Sequence, residues 1–304
     1  MTLCPRRFSY LGESRGWPQT SKARGVVADA AGFWKESADW VRAWWLANID
    51  GETDAGRPSV DPELKYVASI PETWEPAQGQ SAGKSTRVIH AYTNAASVSL
   101  LVNGKEPAGG NKQAMAYFGT ATFDAIPYEA GNLTAVAYDG SGAVVATATR
   151  LSHDAPSGLR LVVDAPSPAT GTGTALVSDG EDVAMLRAEI VDGRGNLVPV
   201  SGVHLVFEVA TGHGRVLASH SGSPSDQGAA WSNATMSYYG LGRCFVRSTL
   251  DASSEHRARQ LLLAVHPTRE AAGARIAVPG SPEDMEVLAG DASILVRVSS
   301  PGLG

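Results

Sequence analysis

Cysteine is almost absent: Cys4 and Cys244 are the only two in 304 residues. Neither a disulfide framework nor a four-thiolate metal site can be built from them. Long apolar runs are missing as well. Nothing approaches the ~18 consecutive apolar residues of a membrane helix, and Met1–Tyr10 has no apolar stretch behind its charges, which argues against a secretory signal. Positive charge is not in excess: 25 Lys and Arg against 31 Asp and Glu leave a net charge of −6, a poor field for nucleic acid. Zinc-finger and phosphate-loop spacings are also missing, so no metal and no cofactor is expected. What remains is a balance of 43% hydrophobic and 18% charged residues with 33 glycines and 17 prolines. That composition suits a soluble, turn-rich globular chain and excludes disorder throughout.

Aromatic residues are unevenly spread. Trp17, Trp34, Trp40, Trp44 and Trp45 all fall in the first 50 residues. Between Gly32 and Leu46 the apolar period is helical: Phe33, Trp40 and Trp44 share one stripe, and Trp34, Ala38, Val41 and Trp45 share the next. A face this wide and this aromatic is built for burial against something large. Residues 51–84, with Pro58, Pro62, Pro71 and Pro76, lose all period and read as a linker.

Beyond Ser85 the period changes to two. Strands are expected at Arg87–Tyr92, Ser97–Val102, Thr120–Ile126, Leu133–Tyr138 and Ala143–Thr149, with Asn103-Gly104 as a hairpin signal. Together they suggest an antiparallel sandwich over 85–152. A second β unit over 155–268 has strands at Leu159–Asp164, Ala184–Val191, Val203–Val209, Gly214–Ala218, Leu241–Thr249 and Gln260–Val265. The turn Asp139-Gly-Ser-Gly142 recurs as Asp192-Gly-Arg-Gly195, which implies one hairpin turn used in both sandwiches. Residues 269–304 read as a poorly defined tail in which only Ala292–Ser299 has strand character.

Local motifs for chemistry are weak. Gly12-Glu-Ser-Arg-Gly16 matches G-x-S-x-G, but Trp17-Pro18 follows where a helix must start, and no apolar strand precedes it. His204, His213 and His220, with Asp226 after them, lack any metal-ligand spacing and read as strand and loop histidines. Glycoside hydrolysis needs two carboxylates ~5–9.5 Å apart. Glu13 sits in an aromatic setting with Phe8, Tyr10 and Trp17, but no second acid is placed opposite it.

Several stretches resemble the C-terminal part of glycoside hydrolase family 2, the β-galactosidase family. Phe8-Ser-Tyr-Leu-Gly-Glu13 with Gly16-Trp-Pro18 is similar to the family's F-D-Y-L-G-E…G-W-P at the last strand of the catalytic barrel. Asp29-Ala-Ala-Gly-Phe-Trp-Lys35 and Trp40-Val-Arg-Ala-Trp-Trp-Leu46 resemble its last barrel helix. Tyr92 to Lys105, Ile126 to Gly131 and Leu133 to Asp139 resemble the immunoglobulin-like domain that follows. Gly212 to Leu217 and Tyr239 to Thr249 resemble the family's final sandwich.

The resemblance implies a mainly β fold: two tandem immunoglobulin-like β-sandwiches preceded by a remnant strand and Trp-rich helix of a (β/α)8 barrel over 1–50. By the same resemblance Tyr10, Glu13 and Trp17 are substrate-proximal. Both catalytic glutamates of the family lie on earlier barrel strands, so no residue here inherits either role. Ser9 stands where the family has aspartate, and the loop His220-Ser-Gly-Ser-Pro224 replaces G-N-G-D-P. The function implied is the non-catalytic C-terminal portion of a β-galactosidase-like hydrolase, with a catalytic barrel as its partner in cis or trans. Two alternatives stand beside it: a free carbohydrate- or protein-binding module, and a residual hydrolase using Glu13.

Overall fold

The computed structural model describes residues 28–47, 65–76, 81, 85–115, 119–164, 175–177, 180, 183–223, 225–226, 228–249, 260–265 and 293–300. They are mainly β, with one helix, and fall chiefly into two compact units on either side of Ser152. None of the helices described is long and apolar enough to cross a membrane.

The first unit opens with α1 (Glu36–Ala47), whose first turn carries Glu36 and Asp39, acids that suit the positive end of the helix dipole. Seven strands follow: β1 (Ala68–Ser69), β2 (Thr86–Thr93), β3 (Ser97–Val102), β4 (Gln113–Ala114), β5 (Thr120–Pro127), β6 (Asn132–Tyr138) and β7 (Val144–Leu151). They form two antiparallel sheets, ordered β1-β2-β5 and β4-β3-β6-β7. Alternate residues of each meet in one core around Ile89, Phe123, Leu100 and Leu133, all fully buried.

The linker expectation fails for residues 65–76. Ile70 and Trp74 lie at 0% exposure in that core. The segment is also pinned along its backbone. The Asn94 side chain accepts from Val67 N at 2.8 Å and donates to the Lys65 carbonyl at 2.8 Å, and Arg150 Nε donates to the Ile70 carbonyl at 2.7 Å. Prolines remove the period that would have announced a strand, while two large apolar side chains still plug the sandwich.

Helix α1 packs on β1 and β2 of this unit. Burial does not follow the tryptophan stripes: Phe33 is buried, and Trp40 and Trp44 are partly buried. Ala38 and Ala43 are buried, Asp39 accepts a 2.7 Å hydrogen bond from Ser69 Oγ, and Trp34 and Trp45 stay 56% and 60% exposed. Small side chains allow the close approach, and Trp34 and Trp45 remain outward.

The second unit has β8 (Gly158–Asp164), β9 (Ala175–Val177), β10 (Val183–Val191), β11 (His204–Thr211), β12 (Gly214–His220), β13 (Ala234–Met236), β14 (Leu241–Ser248), β15 (Gln260–Val265) and β16 (Ser293–Ser299). One sheet runs β12-β14-β10-β8 and the other β13-β11-β16-β15-β9. The core between them holds Leu186, Ile190, Leu205, Phe207, Cys244 and Val246. Here the tail expectation is corrected. Strand β16 lies inside the second sheet, antiparallel to β11 and parallel to β15, with Val296 and Val298 in the core. A parallel pairing needs a long crossover, so nothing local betrays it.

Both D-G-x-G turns are built alike. Asp139 Oδ1 accepts from Ser141 N and Ala143 N at 2.9 and 3.0 Å, and Asp192 Oδ1 accepts from Arg194 N and Asn196 N at 2.9 and 2.8 Å. Gly142 and Gly195 close them at φ 89° and 83°. Gly240 is a second position where glycine is required: φ is 77°, and a Cβ would lie 2.2 Å from the Val198 carbonyl oxygen.

Candidate functional site

Tyr10, Glu13 and Trp17, together with the Gly12–Gly16 motif, lie outside the described residues. Several of the acids that are described are engaged. Glu72 is buried; its carboxylate accepts from His90 N at 3.0 Å and lies 2.7 Å from His90 Nδ1. Nearby, Arg87 Nη1 donates to the Glu75 carbonyl. Burial pulls the Arg87 guanidinium below its ordinary range, with Glu72 and Glu75 opposing that shift.

Across β8, β10 and β14 a ladder of charges alternates in sign. Arg160 pairs with Glu189; Arg187 bridges Glu189 and Asp164 at 2.8 Å each; Arg243 reaches Asp164 at 2.8 Å. The period of two puts these residues on the face opposite Leu161, Ala188 and Cys244, where each carboxylate is met by a guanidinium. Such pairing occupies both carboxylates with guanidinium donors.

Among the described residues three carboxylates are clearly displaced from their ordinary pKa, and all three move down. For Asp139 the Ser141 hydroxyl is the main cause. For Asp192 burial pushes upward, but hydrogen bonds from the Asp154, Asn196 and Arg194 amides, with the Arg194 charge, outweigh it. For Asp226 burial again pushes upward and is outweighed by Gly228 N, the Ser221 and Thr235 hydroxyls and nearby His220. A glycosidase acid needs the opposite shift. Cys244 is no nucleophile either: burial on β14 pushes its thiol up to about 12.

His204 begins β11 opposite Met236, His213 lies in the β11–β12 turn, and His220 ends β12, where its Nδ1 accepts from Gly222 N at 2.8 Å. Among the described residues no three of His, Cys, Asp and Glu converge as a metal site.

The acid response of the second unit follows from Asp192. Its native pKa lies below the unfolded value, so its stabilisation is complete above that ordinary value of about 4 and is lost as pH falls through the native pKa. Denaturant midpoints should therefore hold steady from about pH 7 to 5 and fall below about 4. Asp192→Asn should lower the neutral-pH midpoint, by about 1–3 kcal/mol of stability, and flatten the acid decline. An unaltered acid slope in that variant would show that other groups carry it.

The loop between β12 and β13 holds what motif reading missed. Trp231 there is 82% exposed, the most exposed large apolar side chain among the described residues. The only signal for it in the sequence is an isolated aromatic in Gly228-Ala-Ala-Trp-Ser-Asn233.

Comparison with known proteins bears on this fold directly. Residues 169–256 match the model "Glycoside hydrolase family 2 C-terminal domain 5", and residues 83–146 match "Domain of unknown function (DUF4982)". Over 241 residues, 79% of the chain, the sequence is 27% identical to the β-galactosidase BoGH2A of Bacteroides ovatus. In sequence the chain resembles the C-terminal part of glycoside hydrolase family 2. It spans 24% of the length of that curated relative. Solved structures agree in fold. A β-glycosidase from Bacteroides vulgatus matches 78% of this chain with a TM-score of 0.61 at 19% identity, using 26% of its own length. A family 2 member from Bacteroides cellulosilyticus matches 74% with a TM-score of 0.57 at 20% identity, using 29% of its own.

Proposed function

We propose that this chain is the non-catalytic C-terminal portion of a β-galactosidase-like glycosidase of carbohydrate metabolism, without either catalytic glutamate. The observation that carries the reading is one of coverage: most of this chain aligns with under a third of each relative, which leaves most of each relative's length unmatched. The motif positions support it, since none inherits the acid/base or the nucleophile. The direction of the displaced carboxylates supports it too.

On this reading residues 1–50 carry the last strand and helix of a barrel, and the outward Trp34 and Trp45 meet that barrel in cis or trans. Each large aromatic hides ~150–250 Å² when packed, so an exposed pair fits a covered face better than a free one. The two sandwiches then span about 85–152 and 155–268, the first drawing in 65–76 and the second 293–299.

The test is an assay of the purified chain. It should release no chromophore above a blank from aryl β-galactosides, β-glucuronides or β-mannosides. Turnover that vanishes in Glu13→Gln would overturn the reading in favour of a residual hydrolase.

A further inference from the structure

We propose that Trp231 is the stacking platform of a carbohydrate-binding site on the β12–β13 loop, and that its ligand is a neutral pyranose.

The first argument is the fixed presentation of the indole. An exposed tryptophan on a slack loop folds down to hide its surface. This loop is not slack. Buried Ser219 on β12 donates its backbone N–H to the Ala230 carbonyl at 2.9 Å and its hydroxyl to the Ser232 carbonyl at 2.8 Å, so the backbone is held on both sides of Trp231. Ser232 N closes a turn onto the Ala229 carbonyl at 2.8 Å. Asp226 ties three further residues together: it accepts from Ser221 Oγ at 2.8 Å, Gly228 N at 2.9 Å and Thr235 Oγ1 at 3.1 Å. The indole is thus carried on a backbone held on both sides, which lowers the ordering cost of binding.

The second argument is what surrounds it. Gly228, Ala229 and Ala230 are exposed and carry no side chain beyond Cβ, so these three residues leave the ring open to a flat ligand. A single tryptophan offers at most about 250 Å², far below the ~800 Å² per partner of a specific protein interface. The face suits something ring-sized. A pyranose presents a patch of axial C–H bonds to the negative π face, while the indole N–H and the neighbouring loop amides and hydroxyls meet its hydroxyls.

The third argument is charge. From Ser221 to Asn233 the only charged side chain is Asp226. No cation in the loop recruits a carboxylate or phosphate, and the one acid disfavours uronic acids. A neutral sugar is what the site selects.

Affinity electrophoresis of the intact chain through gels containing galactan, xyloglucan or, separately, polygalacturonate tests this. Wild type should be retarded by at least one of the two neutral polysaccharides and not by polygalacturonate. Trp231→Ala should lose at least about tenfold in apparent affinity, Trp231→Phe should keep part of it, and Trp45→Ala should match wild type. Because Trp231 is exposed, Trp231→Ala should leave the denaturant midpoint unchanged. Free migration of wild type in both neutral gels, retention only on polygalacturonate, or equal retardation of Trp231→Ala would each overturn the proposal. So would a wild-type dimer in size-exclusion chromatography that Trp231→Ala converts to monomer, since the indole would then contact a second copy.

Discussion

Removing residues 291–304 should unfold the second sandwich. A tail that merely trails from a domain can be cut without loss, and the low periodicity of 269–304 invites that treatment. Strand β16 makes the cut severe. It lies between β11 and β15, so its deletion strips the ladder partners from two strands at once: Phe207 loses Val298 opposite it, and Ala264 loses Leu295. It also takes Val296 and Val298 out of the core, where they are 0% and 1% exposed. Each buried valine contributes about 1.5–3 kcal/mol, and the opened sheet adds unpaired backbone groups in an apolar setting. Against a total stability of about 5–15 kcal/mol, that loss is decisive. Hydrogen exchange on the shortened chain should show β10, β11 and β14 unprotected, and the bared edges should promote association. A truncated chain that keeps wild-type protection in those strands would mean the five-stranded sheet is wrong.

Trp74→Ala should cost the first sandwich about 3–5 kcal/mol, the range for emptying a buried aromatic site. Trp74 is fully buried with Ile89 and Phe123 in one core, and its ring centre lies 5.0 Å from that of Tyr128. Its indole N–H donates to the Glu129 carbonyl at 2.8 Å. Truncation leaves a cavity and an unsatisfied acceptor together. Trp74→Phe keeps most of the packing and drops the hydrogen bond, so it should cost less, about 1–2 kcal/mol. Exchange protection of β2 and β5 is the direct readout, with β10 and β14 as the internal reference. If residues 65–76 were a linker after all, both substitutions would leave that protection unchanged.

These two segments mark where local pattern stops informing. Strands such as Ser97–Val102 and Leu133–Tyr138 were legible as short apolar-rich runs bounded by turn residues, although Ser99 and Val136 on their second faces are buried too. The repeated aspartate turns were legible for a stronger reason. An aspartate that accepts from amides two and four residues ahead, with a glycine at positive φ, is a self-contained device that needs no distant partner. Asn103-Gly104 formed its turn for the same reason, at φ 50° and 79°, yet β3 takes β4 and β6 as partners. The turn is local and the pairing is not.

The site was less legible than the fold. Family-like residues around Tyr10, Glu13 and Trp17 stood out through their resemblance alone. Trp231 carried no motif, and its interest lies in two carbonyls held by a serine on another strand, which adjacent letters do not encode. For the helix, composition indicated an aromatic face in need of cover. Packing instead placed Ala38 and Ala43 against the sandwich and left Trp34 and Trp45 outward.

By itself, then, the sequence determined the β character, most strand positions, the shared turns and the family relationship, because each depends on residue spacing within a few positions. Only tertiary structure decided that Ile70 and Trp74 belong to a core, that β16 is an interior strand, and that Arg160, Glu189, Arg187, Asp164 and Arg243 form one ladder. Those outcomes depend on which distant surfaces meet. Burial and pairing between segments far apart in the chain are set by the whole fold's free energy, in which no single segment's pattern holds a majority.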